Sequence, residues 1–288
     1  MASGQQRHDI LRLDYPYVPA FISTTASFGH TQLFVFPLHR QLSKIPVRTA
    51  SGPFAYSPDG KALYGQCSPD SNDYTRIALC RIDLKTGIAT PLPGSIGVYA
   101  GHFAVSPHED CILISGLLRR DTDTRGLFEL SLPGGKLRTL FMQDERLTHS
   151  GWINISIAPD AKRAAASHNG RLEVIDLVQS QVELLDARFY IGSWSPDGKW
   201  LAALEDRENG RTILMDAATL QRRRMLGPSE LDWSPDSRYL LGVKSCDADY
   251  GTLEVIDVET GNRIAVESSK CQINQPTTGW VTRDLAER

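Results

Sequence analysis

Five times along the chain an apolar residue is followed by Ser or Ala, then Pro, then turn-forming residues: Tyr56-Ser57-Pro58-Asp59-Gly60, Val105-Ser106-Pro107-His108-Glu109, Ile157-Ala158-Pro159-Asp160-Ala161, Trp194-Ser195-Pro196-Asp197-Gly198 and Trp233-Ser234-Pro235-Asp236-Ser237. The prolines stand 49, 52, 37 and 39 residues apart, a period that holds one supersecondary unit per copy. Ahead of each proline, large apolar residues alternate with small or polar ones, as in Phe54-Ala55-Tyr56, Phe103-Ala104-Val105 and Ile155-Ser156-Ile157, which is the period of a strand. Pro presets φ, Asp bonds back to nearby amides and Gly accepts positive φ, so the strand reverses at the motif.

A second strand-sized run follows every turn, as in Trp200-Leu201-Ala202-Ala203-Leu204 and Tyr239-Leu240-Leu241-Gly242-Val243. A third run ends at Asp83, Ser131, Asp176, Asp216 and Asp257, and a shorter fourth run follows each. Four antiparallel strands per unit, with units packed around an axis, form a β-propeller blade. Two fragments fall outside the five copies. Residues Gly279 to Asp284 read as a first strand, with Trp280 where Trp194 and Trp233 stand, while Phe21 to Ser27 and Gln32 to Leu38 read as second and third strands. Joined, they predict an all-β, six-bladed propeller over residues 1–288, one domain whose first 13 to 20 residues are irregular. Its sixth blade, built from both chain ends, leaves the ring without a free edge.

Composition narrows the function classes. With 41% hydrophobic and 23% charged residues the chain reads as soluble and globular, and a net charge of -3 provides no basic field for nucleic acid. No stretch has the eighteen or so consecutive apolar residues of a membrane span. Met1 to Arg12 is polar and lacks the apolar core of a signal peptide, which places the chain as written in the cytoplasm. A start at Met1-Ala2-Ser3-Gly4 that replaces a removed signal would place it outside. Cys67, Cys80, Cys111, Cys246 and Cys271 are too few and too irregular for a disulfide framework or a zinc site, and most are expected as core thiols. A Cys246–Cys271 disulfide is conceivable in an exported protein, but two free thiols are the expectation.

The segment Trp194-Ser195-Pro196-Asp197-Gly198-Lys199-Trp200-Leu201-Ala202 and its four relatives resemble the WD40-like, or PD40, repeats of TolB-type six-bladed propellers. The motifs cover roughly residues 50 to 260. The resemblance implies the architecture, and a functional range that includes periplasmic scaffold proteins, sensor domains, peptidase-linked propellers and an oligosaccharide-lyase branch. The chain departs from the pattern at His108-Glu109, at Ala158 and at the nearly lost turn of the sixth blade.

If each blade runs from the axis outward, the first and third turns share one face and the second-to-third connections the other. From repeat proline to third-strand end the copies measure 25, 24, 17, 20 and 22 residues, so the variation falls in those second connections. They read Cys67 to Asp73, Arg119 to Arg125, Glu205 to Asn209 and Cys246 to Tyr250. Variable polar loops on a rigid scaffold are where recognition usually sits. The same register points Ala55, Ala104, Ser156, Ser193 and Asp232 at the axis, a narrow, wet channel. Near its mouth it places His102, Asn154, Ile191 and Glu230, with Tyr99, His149 and Tyr190 in the adjoining connections.

Other chemistry is weakly represented. Asp121 to Gly126 opens like a calcium loop, but Arg125 and Leu132 stand where oxygen ligands belong. The seven histidines are scattered, and only His102 and His149 are placed to meet across the mouth. No Gly-x-Ser-x-Gly elbow occurs. Arg222-Arg223-Arg224 falls on an outermost strand, where charge blocks edge pairing or offers a docking patch. Trp194, Trp200 and Trp233 are expected as packing between blades. The reading is a monomeric, non-catalytic binding or scaffold module for a protein or peptide, with room for a small ligand in the channel, and with no cofactor, metal or nucleic acid. Its candidate binding residues are Tyr99, His102, Arg119, Arg120, His149, Tyr190, Asp206, Arg207, Glu230, Asp232 and Asp249. The alternative is a propeller-type lyase or hydrolase with a metal or acid-base site at the mouth.

Overall fold

In the chain's computed structural model the described residues are 15–24, 31–35, 40–45, 53–68, 77–119, 123–142, 151–185, 189–205, 211–228, 232–247, 250–269 and 277–286. They form six four-stranded antiparallel sheets. Strands β1 (Tyr17–Thr24), β2 (Thr31–Val35) and β3 (Arg40–Ile45) belong to a closing sheet whose fourth member comes from the far end of the chain. The five repeats follow in order, each named here by the residue before its proline. The Ser57 sheet holds β4 (Ala55–Tyr56), β5 (Ala62–Cys67), β6 (Ala78–Asp83) and β7 (Ala89–Pro91), and the Ser106 sheet β8 (Val98–Val105), β9 (Cys111–Arg119), β10 (Asp123–Ser131) and β11 (Leu137–Met142). The Ala158 sheet holds β12 (Ile153–Ile157), β13 (Arg163–His168), β14 (Arg171–Asp176) and β15 (Gln181–Leu184). The Ser195 sheet holds β16 (Phe189–Trp194), β17 (Trp200–Glu205), β18 (Arg211–Asp216) and β19 (Arg222–Pro228). In the Ser234 sheet are β20 (Asp232–Trp233), β21 (Tyr239–Asp247), β22 (Tyr250–Asp257) and β23 (Arg263–Ser269), and the chain ends with β24 (Thr277–Thr282) and α1 (Arg283–Ala286).

In the five repeats every first strand ends at its Pro motif and every third strand ends at the residue the sequence marks, Asp83, Ser131, Asp176, Asp216 or Asp257. First strands lie against one another in sequence, β4 on β8, β8 on β12, β12 on β16, β16 on β20, β20 on β24, and β24 on β4. The core is divided between neighbouring sheets rather than gathered at one centre. Trp194 packs with Ala165 and Val174 of the sheet before it, and Trp233 with Ala202 and Leu214.

The turns hold themselves together. Ser57 Oγ accepts the Ala62 amide at 2.9 Å and donates to Asp59 Oδ1 at 2.6 Å, and Ser195 and Ser234 repeat both bonds. In the His108-Glu109 copy, Asp110 takes over as the acceptor for Ser106 Oγ. The fifth motif position has positive φ whether or not it is glycine, as Gly60, Glu109, Ala161, Gly198 and Ser237 all show. Two non-glycine residues there bond across to a neighbour: Tyr64 Oη donates to Glu109 Oε1 at 2.6 Å, and Ser237 Oγ accepts the Asp197 amide at 2.8 Å. The third-to-fourth turns use a second cassette, in which Asp83, Asp216 and Asp257 accept the amides of Thr86, Thr219 and Thr260.

The chain ends pair. Strand β1 runs antiparallel to β24, with Ala20 opposite Gly279 and Val18 opposite Val281. The strand begins at Tyr17, four residues before the expected Phe21, because Val18 and Ala20 are wholly buried with Leu63 and Val281. Arg283 Nε donates to the Tyr15 carbonyl at 2.7 Å, and Tyr15 Oη to Asp236 Oδ1 at 3.0 Å, fastening both termini to the Ser234 turn.

Three expectations change. Cys67 and Cys80 are disulfide-bonded, not core thiols: Cys80 sits diagonally across β5 and β6 from Cys67, with Cα atoms 5.9 Å apart. Cys111 is a buried free thiol, pushed up to about 12 chiefly by burial, whereas Cys271 lies outside the described residues. The connection at Arg119 to Arg125 is mostly strand, because Arg119 pairs with Asp123 and Leu117 with Arg125; Cys246 and Tyr250 also lie in strands. Those sheets vary by lengthening a hairpin. Arg222, Arg223 and Arg224 bond to Glu205, to Asp216 and to the carbonyls of Val258, Glu259 and Thr260, which accounts for the run without a free docking patch.

Candidate functional site

At the face opposite the Pro turns, the first strands of three successive sheets carry an extra residue. In β8 the pairing slips between Ala100 and His102, in β12 between Ile153 and Ser156, and in β16 between Phe189 and Ile191. The extra residues precede the repeat prolines by five or six positions in each case. A bulge bends its strand and re-aims side chains, so three in a row reshape one sector of the mouth.

The middle bulge is the most unusual. Among the described residues seven non-glycine residues have positive φ, and six of them stand in hairpin turns; Asn154, at φ 51°, is the one inside a strand. Its side chain is exposed. On the preceding strand His102 lies opposite Ser115, on the face that carries Ala104 toward Trp152 and the Ala158 sheet. Burial holds the His102 imidazole below its ordinary pKa and therefore neutral at pH 7.

Each bulge has a prop. Gln66 Nε2 donates to the Ala100 carbonyl at 2.6 Å. Phe189 lies under the Arg222 guanidinium, 5.0 Å from its ring, and Glu205 holds that guanidinium. Beside Asn154, Glu173 takes the Trp152 indole N–H at 2.9 Å on one oxygen and His168 Nδ1 at 3.0 Å on the other, while His168 stacks on Trp152 at 4.6 Å. Asn169 Nδ2 lies 3.3 Å from His168 Nε2, an arrangement that suits the Nδ1-protonated ring. This cluster fixes the entry to β12. Sequence reading treated His168 as one scattered histidine, yet the signal was present: Asn169-Gly170 is a two-residue hairpin turn, and the resulting register sets His168 diagonally across from Glu173.

Of the candidate residues, Tyr99, His102 and Tyr190 stand half-buried at the bulged end of β8 and β16. Asp232 is half-buried near the other end of the channel. Arg119 ends β9, and Arg120, His149, Asp206, Arg207, Glu230 and Asp249 lie outside the described residues. The wet-channel expectation changes on one side. Ala104 packs with Trp152 and Ile157, and Ala55 packs against the cluster of Tyr64 and Phe103. Ser156 Oγ accepts the Trp194 amide at 2.9 Å, tying two first strands together. The calcium-loop segment enters β10 at Asp123, and among the described residues no three His, Cys, Asp or Glu side chains gather to hold a metal. No helix among them is long and apolar enough to cross a membrane.

No protein-family model and no curated protein matches the chain. Solved structures do. TolB from Acinetobacter baumannii superposes with a TM-score of 0.64 at 16% identity, over 92% of this chain and 66% of that one. The fold is a β-propeller. An oligogalacturonate lyase in complex with manganese has a TM-score of 0.53 at 16% identity, covering 88% of this propeller and 74% of the lyase. A chain of a nidogen/laminin complex has a TM-score of 0.57 at 13% identity, covering 92% of this propeller and 98% of that chain. The present chain thus spans about two thirds of the length of the TolB chain. At these identities the likeness concerns the four-stranded antiparallel blades and their arrangement.

Proposed function

We propose that the chain is a six-bladed, TolB-like propeller of the PD40-repeat kind, acting as a non-catalytic binding or scaffold module for a protein or peptide. The closed circuit of first strands, β24 included, supports the blade count. The observation that carries the binding reading is the contrast between ends: three propped bulges stand at one mouth, while on the other face the Ser57, Ser195 and Ser234 turns repeat one set of internal bonds. Tyr99, His102, Asn154 and Tyr190 form the described part of the proposed recognition surface, to which the sequence adds Arg119, Arg120, His149, Asp206, Arg207, Glu230 and Asp249 as candidates. TolB and the nidogen/laminin complex favour a protein partner by analogy of fold.

The test compares two variants as bait for one partner fraction. His102→Ala combined with Tyr190→Ala is expected to lose a partner that wild type and Lys199→Ala, on the turn face, both retain. Retention by all three, or loss by Lys199→Ala alone, overturns the reading.

A further inference from the structure

The cleft between the Ser106 and Ala158 sheets carries an arginine on each wall at its mouth end. On β10, Leu127 packs with Trp152, at the entry to β12, and with Ile175 of β14, so that face of the strand looks across the cleft. Pairing of β10 with β9 is unbroken from Asp123 to Ser131, and alternation therefore puts Arg125 on the same face, two residues nearer the mouth. On the opposite wall Ile175 packs with Leu127 and Glu173 bonds the Trp152 indole, so Arg171, the first residue of β14, looks back toward β10. Its strand pairs with β13 without a break and sets it opposite His168. Arg125 stands six residues before Ser131 and Arg171 five before Asp176, so their levels differ by one residue, about 3.3 Å.

Both arginines are exposed, and neither has a hydrogen-bond or ion-pair partner among the described residues. Other inter-sheet arginines are paired. Arg138, in the same cleft, is held by Glu129 and donates to the Leu177 carbonyl on the other wall, and Arg163 and Arg263 likewise cross to a carbonyl of an adjoining sheet. Glu173, two residues from Arg171 on one strand face, is committed: one oxygen takes the Trp152 indole N–H and the other meets His168. Facing sheets stand about 10 Å apart, a gap that two long side chains can close from opposite walls. Two cations brought to one cleft, with Glu129 and Glu173 both engaged elsewhere, repel, and a bound anion relieves that repulsion.

Guanidinium geometry selects the anion. One fork takes both oxygens of a carboxylate, which leaves the second arginine little to bind. A phosphate monoester has three terminal oxygens and carries about -1.5 to -2 charge at pH 7, so a fork can approach it from each wall. We propose that the mouth end of the cleft between the Ser106 and Ala158 sheets is a seat for a phosphate monoester, held by Arg125 and Arg171. The ester belongs to a phosphorylated side chain of a protein partner or to a small phosphorylated molecule. The seat lies on third strands, away from the channel, so its failure leaves the recognition proposed at the first strands standing.

The probes are methyl phosphate and the peptide acetyl-Gly-phosphoserine-Gly-amide, titrated into the full chain at pH 7 and constant ionic strength, with binding read by calorimetry and acetate as the comparison anion. Saturable binding of at least one ester is expected, with little response to acetate. A tighter peptide assigns the seat to a partner's side chain, and equal affinity assigns it to a small ester. Arg125→Ala and Arg171→Ala each remove an exposed side chain, so the fold survives, and each lowers affinity about tenfold. Arg211→Ala is the control. Arg211 holds the place of Arg171 in the Ser195 sheet and is as exposed, but Ile213 beside it packs on Leu172 and Val174, which turns it to the other side of the Ala158 sheet, and its loss leaves affinity unchanged. No saturable binding of either ester, equal response to acetate, wild-type affinity in Arg125→Ala or Arg171→Ala, or an equal loss in Arg211→Ala each overturns the seat.

Discussion

The two faces of the disc use the same strands to opposite ends. On the turn face three of the five reversals, at Ser57, Ser195 and Ser234, share one set of short-range bonds, Ser to Asp, amide to Ser and amide to Asp; the Ser106 turn uses Asp110 instead, and the Ala158 turn keeps the amide-to-Asp bond. At the mouth no support is repeated: Gln66 props one bulge, the Glu173 cluster another and Arg222 the third. A bond set carried within five or so residues can be copied with the repeat. The mouth supports join residues far apart in sequence, Gln66 from the neighbouring sheet and Glu173 and Arg222 from other strands of their own, so they depend on what each partner strand presents and differ from blade to blade, which lets one sector be specific.

The largest expected effect tests the turn face. Ser234→Ala leaves the buried Tyr239 amide without its Oγ acceptor, and stability to urea should fall by about 2 kcal/mol with partner capture unchanged. A loss of capture in this variant would break the assignment of recognition to the mouth.

Next come paired glycine substitutions at one backbone conformation on opposite faces. Ala161, at φ 53° in a turn, has a Cβ that resists this conformation, and Ala161→Gly should stabilise by about 1 kcal/mol without touching capture. Asn154 has nearly the same φ, but Asn tolerates it better, so Asn154→Gly should gain only about 0.5 kcal/mol in urea midpoint terms. It should nevertheless weaken capture. If both variants behave alike in binding, the strand-borne Asn154 has no special role.

The smallest effect is in pH. Bonds from Thr86 lower Asp83 and bonds from Thr219 lower Asp216, so the native state binds fewer protons than the unfolded chain. For Asp197, burial pulls upward, and the bonds from Ser195 and Lys199 outweigh it. The stability these carboxylates contribute is present above about pH 4 and is lost as pH falls through their lowered values. At the mouth His102 is also lowered, by burial; again the native state binds fewer protons, so stability declines as pH drops below about 6.5. Urea midpoints against pH should show two limbs. His102→Gln should remove the one near neutrality and leave the acid one.

The repeat made the blades legible because Ser-Pro-Asp turns and period-2 strands are local, and third-strand ends were read to the residue at Asp83, Asp176, Asp216 and Asp257. The pairing of β1 with β24 was also legible, since two incomplete copies imply one another. The bulges were not. Gly101, Asn154 and Tyr190 look like ordinary strand residues until a partner strand shows that one of them is extra. The Cys67–Cys80 bond escaped for a related reason: a separation of 13 residues says nothing until register brings the two thiols to one face.

By itself, then, the sequence determined the unit, its turns and the way its ends complete one another, because propensity, capping and strand period act within a few residues. Tertiary structure alone decided where the bulges fall and that the Tyr56 ring lies on Gly279 with its hydroxyl buried and without a hydrogen-bond partner among the described residues. Those outcomes depend on which residue a neighbouring strand sets opposite, and no local preference encodes that.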